Sequence, residues 1–128
     1  MHNIARTFAP LIVLIVAACS PSGPTTPPEG SAEREAIFAA IRQGREIQDQ
    51  VFVATHFKVQ DDWAWLTANP QSKDGANRYE PESWLLQKTA GGWHVVAQPC
   101  QEADCVWKDE VAKIRARFPQ APAAIFPT

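Results

Sequence analysis

The stretch Val51–Ala68, "VFVATHFKVQDDWAWLTA", decides the fold. Val51, Val53, Thr55, Phe57 and Val59 recur at every second residue, the signature of a β-strand. Asp61-Asp62 breaks the alternation as a two-residue hairpin turn. Counting outward from that turn pairs Gln60 with Trp63, Val59 with Ala64, Lys58 with Trp65 and Phe57 with Leu66, and paired residues share a face. One face is then expected to carry Val51, Val53, Phe57, Val59, Ala64 and Leu66. The other collects Phe52, His56, Lys58, Trp63 and Trp65.

Downstream, "NPQSKDGANRYEPE" (69–82) is polar and rich in turn residues, and reads as a long connection. "SWLLQKTAGGWHVVAQ" (83–98) reads as a second hairpin around a four-residue, Gly-rich turn. If Lys88 pairs with Trp93, one face carries Trp84, Leu86, Val95 and Ala97, and the other Leu85, Gln87, His94 and Val96. Upstream, Ser31 is an N-cap with Glu33 and Glu35 in the first turn, where the helix dipole favours acids. Ile37, Ala40, Ile41, Gly44 and Ile47 follow at helical spacing, which predicts a helix over 32–48. Gly44 costs about 1 kcal/mol inside a helix, so it either ends the helix early or permits close packing on a sheet. At the other end, Val111, Ile114 and Phe118 form the stripe of a short helix, with Lys113, Arg115 and Arg117 outside and Pro119 as its stop. The tail "PQAPAAIFPT" (119–128) is apolar enough to pack back on the body.

The order helix, hairpin, hairpin, helix predicts an α+β domain. It consists of an N-terminal helix packed on a curved four-stranded antiparallel meander, with a short C-terminal helix. The pattern "V…H.KV..DWAWL" followed by "WLLQKT.GGW.VV" resembles small secreted bacterial domains with nuclear-transport-factor-two-like or cystatin-like folds. Both wrap a curved antiparallel sheet around helix. That resemblance implies an architecture and no particular activity. Isomerases with the transport-factor-like fold use a buried Asp and Tyr. The one tyrosine here, Tyr79, falls in the expected loop, so their mechanism does not carry over.

The N-terminus determines the address. Arg6 precedes an apolar run, Leu11–Ala18, that ends in small residues: the charged, apolar and small-residue regions of a secretory signal. The run is less than half the roughly 20 residues a membrane span requires. Val16-Ala17-Ala18-Cys19 resembles the lipobox of bacterial lipoproteins, in which the cysteine is acylated and becomes the first residue of the mature chain. The resemblance implies a signal peptide over 1–18, a lipid anchor on Cys19 and membrane attachment through it. Because Ser20 rather than Asp follows, it further implies the outer membrane, facing the periplasm, in a two-membrane cell. Residues 19–30, rich in Pro, Ser and Thr, then read as a semi-rigid tether outside the fold, lifting the domain roughly 30 Å. Residues 31–128 form the single domain.

The chain has three cysteines. Setting Cys19 aside for lipidation leaves Cys100 and Cys105, which are expected to pair in an oxidising compartment and contribute roughly 2 kcal/mol. C-x-x-x-x-C lacks a second ligand pair for zinc and is not the redox C-x-x-C. The 12 Lys and Arg, less Arg6 in the leader, face 14 Asp and Glu, a mature charge of about −3. No basic stripe interrupts that balance, which argues against a nucleic-acid partner.

The chemistry is sparse. Phe52, His56, Lys58, Trp63, Trp65 and His94 make up the candidate binding face: tryptophans rimmed by polar groups suit a partner surface. The same face is alternatively a second core under the C-terminal helix or tail, or a dimer interface, and a one-residue register slip would exchange the two faces. His56 and His94, if convergent, form a metal or acid–base pair. Solvated strand histidines are the commoner case. Asp61-Asp62 is explained by the turn. No catalytic residue, metal ligand or cofactor motif is assigned. The expected function is a lipid-anchored envelope module, non-catalytic, of immunity or inhibitor type for example. It would offer its Trp-bearing face or the loop from Gln71 to Pro81 to an envelope protein. The alternatives are a small-molecule or catalytic pocket using His56 or His94, and a structural subunit of an envelope complex.

Overall fold

A computed structural model describes residues 10, 12, 13 and 23–128, so Cys19 and nearly all of the leader lie outside the described residues. The chain runs α1 (Ala32–Arg42), β1 (Val51–Gln60), β2 (Trp63–Gln71), β3 (Glu82–Thr89), β4 (Gly92–Ala97), α2 (Trp107–Arg117) and a 3-10 turn (Ala123–Ile125). The strands form one open antiparallel sheet in the order β1-β2-β3-β4. This is the α+β meander read from the sequence, with helix at both ends of the chain. Helix α1 covers one face of the sheet; α2 and the tail cover the other.

The first hairpin has the expected register, Gln60↔Trp63 through Phe57↔Leu66. Asp61 and Asp62 both take positive φ, 50° and 64°, as a two-residue turn between right-twisted strands requires. Further from the turn the register shifts: His56 pairs with Thr67 but Ala54 pairs with Ala68, so Thr55 is an extra residue, a β-bulge. The bulge exchanges the faces of everything before it. Phe52 is buried in the α1-side core, while Val51 and Val53, expected there, are exposed.

Three further expectations change for local reasons. Helix α1 stops at Arg42 rather than near 48: Gln43 N–H closes on Ala39 O, a turn follows, and Ile47 is left exposed. A Cβ at Gly44 would meet open space, so this glycine serves as a stop and not as a close-packing site. The second hairpin turns more tightly than expected, because Thr89 pairs with Gly92 (φ 99°). A register shift between Leu85 and Leu86 also moves Ala97 to the α2 side. Finally, β2 extends into the expected loop. Pro70 is tolerated because the β3 ladder ends at Ala68↔Glu82, and its carbonyl accepts from Tyr79 N–H at 2.9 Å.

The α1-side core is a row of rings. Phe57 stacks on Phe38 (5.8 Å), Phe38 packs at a tilt against Phe52 (5.6 Å), and Phe52 meets Trp84 edge-on (5.6 Å). Three arginines of α1 and its following loop lie over this row: Arg34 at Phe38 and Phe57, Arg42 at Phe38 and Phe52, Arg45 at Phe52 and Trp84. Their stems and guanidinium planes close a core that α1, packed toward β4, leaves open on the β1 side.

Part of the expected tether belongs to the fold. Thr25 forms a β-bridge with Val59 on the outer edge of β1, with N–H···O bonds of 2.9 and 2.8 Å. Thr26 Oγ1 donates to Phe57 O (2.7 Å), and Pro27 is buried with its carbonyl accepting from Arg34 (3.0 Å). The chain then turns at Gly30 (φ 75°) into α1, capped by Ser31 as expected.

Candidate functional site

The six residues of the expected binding face are distributed differently. Phe52 lies in the α1-side core. Trp63 (6% exposed) and Trp65 (0%) are core residues beneath α2 and the tail. Trp65 packs on Phe126 and Trp107, and Trp63 on Phe118. His56 is half-buried, and its Nε2 lies 2.8 Å from Ile125 O, pinning the tail to β1. Lys58 donates to Thr26 Oγ1 (3.1 Å) on the docked segment. His94 is exposed on β4. The two histidines sit on the outermost strands, separated by three strand spacings, about 14 Å. They do not converge. The side of the sheet offered as a surface is thus a second core, closed by residues 107–126, and its polar rim serves to hold the closing segments in place.

The meander itself points to another site. Its two tight turns, Asp61-Asp62 and Ala90-Gly91, lie at one end of the sheet, and the docked Thr25 approaches that same end. All three long connections, 43–50, 72–81 and 98–106, therefore emerge together at the opposite end. Loops gathered on a rigid scaffold are where binding surfaces usually form.

Two clefts lie there and share Gln98 and Gln101. The first, about 480 Å³, lies between the end of α1 and the sheet, and its lining includes Arg45, Glu46, Ile47, Glu82, Trp84 and Val95. Its floor is a fixed polar network. Arg45 Nε donates to Oε1 of the buried Gln50 (2.7 Å), Arg45 Nη1 pairs with Glu82, and Arg42 donates through Nε and Nη2 to Gln50 O (3.2 and 3.1 Å). These bonds tie the α1–β1 loop to α1 and β3, so the cleft is preformed.

The second cleft, about 420 Å³, lies between the Cys100–Cys105 disulfide loop and the first turns of α2. The disulfide is formed as expected, with Cα atoms 5.2 Å apart. The loop turns sharply, with positive φ at Cys100 (59°) and Asp104 (65°). Glu102, Asp104, Asp109, Glu110 and Lys113 line it. Lys113 pairs with Glu110 (2.9 Å), which raises the ammonium pKa above its ordinary value. Arg45 and Lys113 are the cations lining the two clefts, and each is already paired. Glu46, Glu102, Asp104 and Asp109 have no ion-pair partner among the described residues. The joined groove is acidic, glutamine-bearing and partly apolar.

The loop 72–81, expected as a presentation loop, stands at this end too. It is an ordered extension of β2: Gln71 bridges Arg78, Ser72 N–H donates to Asn77 O, and Asp74 accepts from Ser72 Oγ (2.6 Å) and Ala76 N–H (3.0 Å). Those bonds hold the Asp74 carboxyl below its ordinary pKa.

Among the described residues no group of three or more His, Cys, Asp or Glu is arranged to hold a metal ion, and no helix is long and apolar enough to cross a membrane. No protein-family model matches the chain, and neither a curated protein nor a solved structure shows significant similarity to it. The groove was missed in the sequence because its residues come from two connections, 43–50 and 98–106, and from α1, α2, β3 and β4. The clue that could have found it was the topology, since a four-stranded meander with short turns at one end collects its long loops at the other.

Proposed function

We propose that this protein is a lipid-anchored, non-catalytic binding module of the bacterial cell envelope. Cys19 carries the anchor, and the loop-bearing end of the sheet carries the partner site. The observation behind this reading is the polarity of the domain. The chain enters at the end with the tight turns, and both clefts lie at the other end. With Thr25 docked on β1, only five residues separate Cys19 from it, six Cα steps and a reach of about 20 Å. An anchor at Cys19 holds the turn end near the bilayer and turns the groove away from it. In a two-membrane cell the module faces the periplasm from the outer membrane. A disulfide staple and a charge-unbalanced acidic groove suit a basic segment of an exported protein, and an inhibitor or immunity protein for a basic enzyme is one concrete form.

The test is affinity capture from solubilised envelope with the full-length chain. Charge reversal in the groove, Glu46→Lys with Glu102→Lys, is expected to release the partner. Glu33→Lys at the turn end is expected to keep it. Capture indifferent to the groove substitutions would sink the assignment of the site. Radiolabelled fatty acid should mark the native chain and not Cys19→Ser; equal labelling of both would remove the anchor.

A further inference from the structure

The outer edge of β1 is half occupied, and the occupied half shows how the free half can be used. Thr25 adds as a short antiparallel strand at Val59, and Thr26 caps the outward carbonyl of Phe57. The chain then turns away at Pro28–Ser31 to start α1 and does not reach the first half of β1. There the outward carbonyl of Gln50 accepts from Arg42. Backbone groups of alternate residues point the same way, so Phe52 and Ala54 turn their N–H and C=O outward as well. Among the described residues nothing pairs with them on that side. A free edge of this kind is normally blunted by Lys, Pro, a bulge or a covering segment, and here the bulge at Thr55 lies where the covered half ends. This one carries the exposed Val51 and Val53. Beside it, on the α2 side and beyond the reach of the tail, is a cleft of about 330 Å³ lined by Val53, Arg78 and Tyr79 among others.

We infer that the first half of β1 is a strand-accepting site for an extended segment of a partner protein. That segment carries apolar residues on one side and carboxylates on the other. Main-chain bonds to Phe52 and Ala54 supply the pairing, and the cleft beside Val53 and Tyr79 takes an apolar side chain, as in strand addition generally. The charge comes from Arg42, which lies over Phe52 on the α1 side, donates to the Gln50 carbonyl and has no ion-pair partner among the described residues. A second copy of this chain is disfavoured as occupant, because a two-fold axis through the edge brings each Arg42 toward its mate. The inference rests on the binding-module reading for the existence of a partner, but the edge is testable without it.

The probe is a short peptide of alternating Val and Glu, titrated into isotope-labelled full-length chain in detergent, with backbone amide shifts as the readout. Saturable shifts centred on Phe52 and Ala54 are expected. A Val/Lys peptide of equal length is expected to bind about tenfold more weakly or worse, the scale of about 1.4 kcal/mol. Ala54→Pro removes one outward N–H without touching the β2 ladder, and Val53→Lys guards the edge; both are expected to abolish the shifts while far-UV circular dichroism stays native. No saturable shift on the native chain, shifts elsewhere, or equal binding of the Val/Lys peptide overturns the proposal, whether or not the variants fold. Concentration-dependent self-association that Val53→Lys removes would overturn the choice of occupant in favour of a second copy. Loss of envelope capture by the groove variants with peptide shifts intact would separate the groove from the edge.

Discussion

Trp65→Ala is the substitution on which the architecture turns. The side chain is 0% exposed, its ring lies 5.2 Å from Phe126 and 6.2 Å from Trp107, and its Nε1 donates to Thr67 Oγ1 at 3.1 Å. A buried aromatic withdraws about 150–250 Å² from water, which at about 25 cal/mol per Å² is about 4–6 kcal/mol. The unfolded chain already buries part of that area. About 3–5 kcal/mol is therefore expected, the range of aromatic-to-Ala changes in cores. The lost hydrogen bond adds little, because the Thr67 hydroxyl keeps its 2.7 Å bond with Ser83. A domain of this size has about 5–15 kcal/mol in total, so Tm should fall by about 15 °C or more. Urea unfolding followed by far-UV circular dichroism measures the loss without relying on tryptophan emission. Trp107→Ala is the control: that ring is 39% exposed, and its removal should cost less, about 2 kcal/mol. If both variants lost the same small amount, α2 and the tail would not cover the sheet, and the second core would be refuted.

Other consequences follow from particular bonds. Thr26→Val strips the hydroxyl from Phe57 O and should cost about 0.5–1.5 kcal/mol; the Val59 amide, bonded to Thr25 O, should exchange faster in the variant and be protected in the native chain. Asp62 sits at φ 64°, so Asp62→Val should destabilise by about 1–2 kcal/mol in thermal melts while Asp62→Gly gains a few tenths. Asp74 is held below its ordinary value of 3.8 by Ser72 and Ala76, so the order it confers on loop 72–77 is complete above that pH and is lost as pH falls through the lower folded value. Protection of the Ala76 and Asn77 amides, taken relative to the intrinsic exchange rate at each pH, should therefore fall at low pH, and Asp74→Ala should show the same loss at neutral pH with Tm nearly unchanged.

Much of the architecture was legible because it rests on short-range rules. The Asp61-Asp62 turn sets the register of its own hairpin, Ser31 caps α1, and Val111 and Ile114 recur at the period that buries them. The same locality explains where the reading stopped. Nothing in "VFVATHF" marks Thr55 as a bulge, since each residue there is an acceptable strand residue. The bulge is selected because it brings Phe52, and not Val53, against Phe38 and Trp84. Thr25 looked like linker because its partner, Val59, is 34 positions away.

The sequence by itself determined the order of elements, the antiparallel pairing and the Cys100–Cys105 pair, because periodicity, turn chemistry and cysteine spacing act over a few residues. Only the tertiary structure decided that Trp63 and Trp65 are core, that His56 holds the tail and not a ligand, and that the acidic groove and the free half of β1 are the open surfaces. Whether an apolar face is a core or a surface depends on what packs over it. Here the covering segment, 107–126, lies some forty to sixty residues downstream and carries no local mark of where it will dock.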